Sequence, residues 1–131
     1  MVVDTSAIAT ILFAEDEAER FSEAIVGDPL RLISAGTALE CSLVIESELG
    51  EAGGRELDLL LLRTGIEIIP FNAEQLTVAR HAFRNFGKGQ HPAGLNYGDC
   101  FSYALSMTSG EPLLFKGEDF AKTDVQRVFV V

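Results

Sequence analysis

Four acidic side chains lie beside short apolar runs that are far apart in the sequence, and their residue types suit one kind of chemistry. They are Asp4, Glu40, Asp99 and Asp119. Carboxylates that are brought together repel each other, by about 4 kcal/mol for each close pair at an effective dielectric constant of about 20. A hard divalent cation with oxygen ligands, Mg²⁺ or Mn²⁺, relieves this repulsion, orients a water molecule and lowers its pKa. Hydrolysis of a phosphodiester bond is the reaction class that such a set would serve.

An alternation of strand-like and helix-like segments indicates how these acids are positioned. Short apolar runs typical of strands lie at residues 2–3, 31–34, 66–69, 113–115 and 128–131. Apolar residues at helical spacing lie between these runs. Strands that alternate with helices favour a parallel sheet covered on both faces. We therefore predict an α/β fold, a three-layer α/β/α sandwich with a central, mostly parallel sheet of about five strands.

Local signals predict where two of the helices begin. Thr37 is followed three residues later by Glu40, which predicts a capping box that opens a helix running to about residue 49. Gly50 and the Gly53-Gly54 pair then predict a break before a leucine-rich helix. Asn96 predicts the cap of a later helix, and residues 87–95 before it are expected to form a loop.

The predicted elements bring the four acids to one edge of the sheet. In an open α/β sheet, ligands bind outside the carboxyl ends of the strands. Asp4 ends the first strand, and Asp119 follows the strand at residues 113–115. Glu40 and Asp99 lie in the first turns of helices that begin at the same edge. Each acid taken alone also has a purely structural explanation as a helix-capping residue.

The charge distribution excludes a basic protein that wraps nucleic acid. The net charge is −10, from 20 acidic and 10 basic residues. Residues 1–74 carry 15 acids and 4 bases, whereas residues 75–131 carry 5 acids and 6 bases. If the chain acts on a polyanion, its acids must hold a cation, and the acidic first half also favours a basic partner. The alternative is an acidic surface that only aids solubility.

Length and composition favour one compact domain over residues 1–131. The 131 residues are 47 % apolar and 23 % charged, as in ordinary globular proteins. No apolar run approaches the roughly 20 residues of a membrane helix, and no signal peptide is indicated, since Asp4 follows the first two apolar residues. The two cysteines cannot form a disulfide framework. We therefore expect reduced thiols, a cytoplasmic location and no membrane span.

Four segments of the chain resemble the PIN-domain family, and more closely the VapC-like toxins of bacterial toxin–antitoxin modules. In chain order they are Val2-Val3-Asp4-Thr5-Ser6-Ala7, Ile33-Ser34-Ala35 through Leu39-Glu40, Leu95-Asn96-Tyr97-Gly98-Asp99-Cys100, and Leu113 to Phe120. The resemblance covers the whole chain and implies a PIN-like fold. It also implies a metal-dependent ribonuclease, with Mg²⁺ as the cofactor and Mn²⁺ as the alternative ion.

The resemblance implies a role for each acid of the cluster. Asp4 and Asp99 match the family pattern best and would be the principal metal ligands. Glu40 and Asp119 would act on the metal directly or through water. Many members have an acid two residues before the last one, where this chain has glycine, so Glu118 is a second candidate and Asp119 is favoured. Ser6 matches a small polar residue of the family that would hydrogen-bond a carboxylate or water.

A basic strip lies on the helix before Asp99. Arg80, Arg84 and Lys88 are four residues apart and lead into the loop that contains His91. We predict that these four residues contact the phosphate backbone of RNA. The alternative is a solvated helix face.

The resemblance further implies a homodimer and an inhibitory antitoxin. Four consecutive leucines, at residues 59–62, are more than one core-facing stripe accommodates, so we expect another chain to cover part of this surface. We also expect the partner to bring a basic residue, Arg above all, to the acidic cluster, because a guanidinium binds carboxylates in a bidentate manner.

Other protein classes explain parts of the sequence. A receiver-type signalling domain also has an acidic rim, but the strand at residues 66–69 ends in Pro70-Phe71 instead of an acceptor Asp. A haloacid-dehalogenase-type phosphatase requires a second Asp two residues after Asp4, where this chain has Ser6. A PIN-like fold that binds without cleaving is the remaining alternative.

Overall fold

The computed structural model describes all 131 residues and contains four strands and five α-helices. The strands are β1 (Val2–Val3), β2 (Leu32–Ser34), β3 (Glu67–Ile69) and β4 (Leu113–Leu114). The helices are α1 (Thr5–Leu12), α2 (Ala18–Gly27), α3 (Ala35–Thr64), α4 (Ala73–Phe86) and α5 (Tyr97–Ser109). A 3₁₀ turn at Phe120–Lys122 follows β4. None of the helices combines the length and the apolar composition that crossing a bilayer requires.

The strands form one parallel sheet in the order β3-β2-β1-β4. Val2 and Val3 of β1 are fully buried but belong to different apolar clusters, because successive side chains of a strand point to opposite faces. The cluster around Val3 includes residues of α1, α2 and α3, and the cluster around Val2 includes residues of α4 and α5. The predicted three-layer α/β/α arrangement is therefore confirmed.

The sheet has four strands, where about five were predicted. Residues 128–131 do not form a strand, and the segment joins β4 only through an isolated bridge between Arg127 and Leu113. Its side chains alternate in exposure, and Phe129 is 83 % exposed. Because the segment bridges the edge strand at a single position, it does not add a fifth strand to the sheet.

Helix α3 begins earlier than the predicted capping box. Ser34 is the N-cap, and its Oγ accepts a hydrogen bond of 3.3 Å from the backbone N–H of Gly36. Thr37 therefore lies inside the first turn, where its side chain is fully buried. Breaks were predicted at Gly50 and at the Gly53-Gly54 pair, and only the first is present. Gly50 (φ 66°, ψ −162°) interrupts α3, whereas the helix continues through the Gly53-Gly54 pair.

Candidate active site

Asp4 is a buried carboxylate at the junction of β1 and α1, where it caps the helix. Its Oδ2 accepts hydrogen bonds from the backbone N–H of Ser6 at 3.0 Å and from Ser6 Oγ at 2.7 Å. Its Oδ1 accepts a hydrogen bond of 2.6 Å from Ser102 Oγ on α5. Three donors on two different helices thus fix the orientation of a side chain that is only 3 % exposed.

Glu40 extends from α3 to the start of α1 and to α5. Its Oε1 accepts a hydrogen bond from the hydroxyl of Thr5, and its other oxygen lies against the backbone of Gly98. Burial raises the pKa of the Glu40 carboxyl and the charge of Asp4 adds to this, while the Thr5 hydrogen bond lowers it. The capping role predicted for Glu40 is wrong, because the helix begins before Thr37 and the side chain faces the other acids.

Asp99 lies in the first turn of α5, where it completes the capping box with Asn96. The backbone N–H of Asn96 donates to Asp99 Oδ2, and the backbone N–H of Asp99 donates to Asn96 Oδ1, both at 3.0 Å. The pKa of Asp99 is raised to about 7, mainly by burial and in addition by the charges of Asp4, Glu40 and Asp119, while the Asn96 hydrogen bond lowers it. All four predicted acids are therefore close enough to interact electrostatically.

Asp119 and Glu118 lie in the exposed turn that follows β4. Gly117, with φ of 103°, begins this turn in a conformation that a side chain would strain. Asp119 is the acid of the pair whose charge raises the pKa of Asp99. Its side chain makes no capping hydrogen bond to the 3₁₀ turn, so it is free to rotate towards the other carboxylates.

Ser6 links Asp4 to the segment after β4 that leads to Asp119. Its hydroxyl donates to Asp4 and accepts a hydrogen bond of 3.0 Å from the backbone N–H of Lys116. The Lys116 ammonium forms ion pairs with Glu15 and with Glu17, which join the same segment to the turn between α1 and α2. The predicted hydrogen bond from Ser6 to a carboxylate is present in the structure.

The donor set is suited by its chemistry to a hard divalent cation. All four side chains offer oxygen, and a cation between them would remove the mutual repulsion that adds to burial in raising the pKa of Asp99 and Glu40. As the side chains stand, no three acidic, histidine or cysteine groups are arranged to hold one ion. Binding therefore requires rotation of the less constrained members, and Asp119 is the most exposed of them.

The basic strip lies on the exposed side of α4, and two of its residues border an apolar groove. Arg80 and Arg84 line a cavity of about 660 Å³ between α4 and the start of α5. The other lining residues are Phe71, Leu76, Ala79, Phe83, Tyr97, Cys100 and Phe101. Lys88 follows the end of α4 and is exposed. The strip thus lies beside the turn that contains Asp99.

His91 has contacts within its own loop. Its Nδ1 accepts a hydrogen bond of 3.0 Å from the backbone N–H of Ala93, and its ring packs edge-on against Phe86 with centroids 5.2 Å apart. The loop also has a bridge between Gly87 and Leu95, so it is more ordered than the sequence predicts. None of these contacts tests whether His91 binds RNA, so that role stays a prediction.

Sequence reasoning missed three residues that support the acids. Thr5 donates to Glu40, Ser102 donates to Asp4, and Gly98 leaves the space that Glu40 occupies. Ser102 is 98 positions from Asp4, and no spacing in the sequence connects the two. Gly98 offered the better signal, since a glycine in the first turn of a helix, directly before a candidate acid, is unfavourable unless close packing requires it.

Comparisons with known proteins identify the family. The PIN domain family model matches residues 1–126. The chain is 55 % identical over 128 residues to the VapC ribonuclease Mb0640 of Mycobacterium bovis, covering 98 % of each chain. It is also 55 % identical to the ribonuclease VapC of Mycolicibacterium smegmatis, over 98 % of this chain and 99 % of that one.

Solved structures agree on the fold. VapC20 of Mycobacterium tuberculosis, described as a sarcin–ricin loop cleaving toxin, superposes with a TM-score of 0.79 at 16 % identity, over 97 % of both chains. A chain of the VapBC2 complex of Rickettsia felis, solved with a DNA fragment from the promoter, gives 0.75 at 15 % identity, over 98 % of this chain and 96 % of that one. On the family match and the close relatives together, the chain belongs to the PIN domain family, in its VapC group.

Proposed function

We propose that this chain is a ribonuclease that hydrolyses RNA phosphodiester bonds with Mg²⁺ as its cofactor, Mn²⁺ being the alternative ion, and that it is the toxin of a toxin–antitoxin pair. The names of its 55 % identical relatives, VapC ribonucleases, support the activity. One structural feature supports it most: Asp4, Glu40 and Asp119, from three distant segments, lie near enough to Asp99 for their charges to add to burial in raising its pKa.

Three of the four acids of the proposed site have a neighbour that orients them, and Asp119 is the one without such a partner. Asp4 and Asp99 are the principal ligands in this proposal, and Glu40 and Asp119 complete the set, with Asp119 in preference to Glu118. A bound divalent cation supplies Lewis-acid activation of a phosphoryl oxygen and lowers the pKa of a water molecule. The chain's own contribution is orientation. Ser6, the Thr5 hydroxyl and the Asn96 backbone each hold one of the acids.

We propose that the basic strip guides RNA to this site. Arg80 and Arg84 are exposed on the side of α4 next to the start of α5, and Lys88 is exposed just after the end of α4, in a chain with an excess of acidic residues. Their positive charge would offset the repulsion between a phosphate backbone and a chain with a net charge of −10. His91 is assigned to the same surface, at the loop that follows the strip.

An antitoxin is the partner that the structural neighbours support, because they include a toxin–antitoxin complex from Klebsiella pneumoniae and VapBC-1 from nontypeable Haemophilus influenzae. We propose that its helix lies on the α1 and α3 side of the chain. Leu62 is 76 % exposed there, and a cavity of about 390 Å³ is lined by Phe13, Val44 and Leu49 among others. An arginine of the antitoxin then binds the acidic cluster and competes with the cation.

We assign the homodimer contact to the opposite side of the molecule, on α4 and α5. The groove that Arg80 and Arg84 border is mostly apolar, and Leu76 and Tyr97 on its rim are 49 % and 80 % exposed. In this proposal the dimer contact covers the apolar part of the groove and leaves the two guanidinium groups at its edge open to RNA. Exposed apolar and aromatic side chains in a groove of this size are typical of a surface that another chain covers.

We also propose a cytoplasmic location for the chain. Cys41 and Cys100 are free thiols, in line with this location.

The experiment that tests the activity is cleavage of a panel of structured RNAs by the purified chain. We expect cleavage with Mg²⁺ or Mn²⁺, none with a chelator, and growth arrest when the chain is expressed without its partner. Membership of the PIN domain family removes the receiver-like alternative. An inactive binding module would bind RNA or a partner without any metal-dependent cleavage, and that result would contradict the proposal.

A further inference from the structure

Two buried hydroxyl groups lie behind Asp4, on the side away from solvent. Ser102 on α5 and Thr37 on α3 are both fully buried. Ser102 Oγ lies 2.6 Å from Asp4 Oδ1 and 3.1 Å from Thr37 Oγ1. The three side chains thus form a row that joins the end of β1 to two helices, and none of the other acids takes part in it.

The chemistry of the three groups fixes the direction of the hydrogen bonds. A hydroxyl has one proton to donate, and a carboxylate is an acceptor only. Ser102 therefore donates its proton to Asp4, and it accepts the proton of Thr37. A chain of hydrogen bonds in one direction is strengthened by mutual polarisation, so the Thr37 hydroxyl makes Ser102 a better donor to Asp4.

We propose that Ser102 is a positioning residue for Asp4 and that Thr37 acts on Asp4 through Ser102. This inference depends on the proposed function, in which Asp4 is a principal ligand. The Ser102 hydroxyl holds Oδ1 so that the carboxylate meets a cation in one orientation, as partners behind the ligands do at other metal sites. Without it, Asp4 keeps only the two contacts from Ser6 on Oδ2 and can rotate about them.

The same helix provides a matched control at Ser106. This serine lies one turn after Ser102, is 3 % exposed, and donates a hydrogen bond of 2.7 Å to the backbone carbonyl of Glu111. It is thus a buried serine whose hydroxyl is satisfied by a backbone carbonyl instead of a carboxylate. A general effect of removing a buried hydroxyl from α5 appears in Ser106→Ala as well as in Ser102→Ala, whereas an effect on Asp4 appears only in the latter.

The test compares Ser102→Ala with Ser106→Ala by two measurements, Mn²⁺ binding by calorimetry and the Mg²⁺ concentration that gives half-maximal RNA cleavage. We expect Ser102→Ala to weaken Mn²⁺ binding and raise the Mg²⁺ requirement by about ten-fold or more, and Ser106→Ala to leave both within about two-fold of the wild type. Equal values in the two variants would overturn the inference. A wild-type chain that neither binds Mn²⁺ nor cleaves RNA would overturn the proposed function with it.

Thr37 gives a second test, and its single variants do not depend on Ser102→Ala folding well. Thr37→Val keeps the volume and removes the hydroxyl, whereas Thr37→Ser keeps the hydroxyl. We expect Thr37→Val to weaken Mn²⁺ binding by a few-fold and Thr37→Ser to bind as the wild type does. Because Thr37 acts through Ser102, adding Thr37→Val to Ser102→Ala should cause no further loss. Independent, multiplicative losses would show that Thr37 does not act through Ser102.

Discussion

The backbone of Gly98 lies directly against the carboxylate of Glu40: a Cβ on Gly98 would come within 1.8 Å of Glu40 Oε2. Gly98 is buried and immediately precedes Asp99 on α5. The turn that presents one acid therefore leaves room for another, and any side chain at this position would displace Glu40. Because the atom displaced is the end of a long side chain, the change would disturb the site more than the fold.

Gly98→Ala tests this relationship. Alanine favours a helix over glycine by about 1 kcal/mol, so thermal unfolding should change by only a few degrees in either direction. RNA cleavage should fall by at least about ten-fold because Glu40 is displaced. Gly27→Ala is the control, since a Cβ on Gly27 meets nothing within 4 Å. Wild-type cleavage by the folded Gly98→Ala variant would mean that Glu40 has no part in the reaction.

The raised pKa of Asp99 predicts how stability depends on pH. Its carboxyl titrates near 3.8 in an unfolded chain and at about 7 in the folded one, so the folded state binds more protons between these values. The free energy of unfolding of the metal-free chain should therefore fall as pH rises from about 4 to about 7, and then level off. Because Asp99 is partly exposed, solvent screens part of this effect. We expect the free energy of unfolding to change by about 1–2 kcal/mol over this pH range.

Asp99→Asn should remove this part of the pH dependence. The Asn side chain retains an oxygen that can accept the Asn96 hydrogen bond, so the capping box is preserved. The variant should be more stable than the wild type at pH 8 and similar to it at pH 4, as measured by urea unfolding without divalent cations. Equal stability of the two proteins across the range would show that neither burial nor the other acids penalise the Asp99 charge.

The basic strip should affect binding rather than chemistry. In Arg80→Ala/Arg84→Ala, RNA binding should weaken and the slope of log affinity against log salt should decrease by up to about one for each lost phosphate contact. Arg55→Ala/Arg63→Ala removes the same charge from exposed positions on α3 and is the matched control. If both pairs lower the affinity equally, only the net charge matters and the strip is a solvated helix face.

The two proposed protein contacts lie on different sides of the chain and can be separated by single substitutions. Leu76→Glu, on the rim of the α4–α5 groove, should yield a monomer that still binds its antitoxin. Leu62→Glu, on α3, should remain a dimer but lose antitoxin affinity by about ten-fold or more. Light scattering and antitoxin titration measure the two properties. The reverse pattern would exchange the two assignments, and no effect in either variant would refute both.

The arrangement of the acids could be predicted from the sequence because it depends on backbone topology. Asp4 and Asp119 follow strands, and Asp99 lies in a capped first turn, so a parallel sheet brings them to one edge. The helix start at Ser34 was missed because both Ser34 and Thr37 can cap, and only packing decides which one is buried inside the helix.

The supporting residues could not be predicted because their partners are defined only by the packing of helices. The Ser102 hydroxyl lies behind Asp4 because α5 packs on β1, and no local pattern indicates this contact. The missing fifth strand has a similar cause. Residues 128–131 alternate as a strand does, but whether they pair depends on how far the chain follows β4, and it departs after the bridge at Arg127.

The most direct test of the four-carboxylate site is a metal titration of RNA cleavage by the wild type, Asp99→Asn and Glu118→Gln, which is the control for charge near the site. With Mg²⁺ from micromolar to millimolar concentrations, the wild type and Glu118→Gln should cleave with similar rates and metal requirements, and neither should cleave in chelator. Asp99→Asn should remain folded and show a loss of at least about a hundred-fold at every concentration. Cleavage by Asp99→Asn at the wild-type rate, or cleavage by the wild type in chelator, would contradict the account.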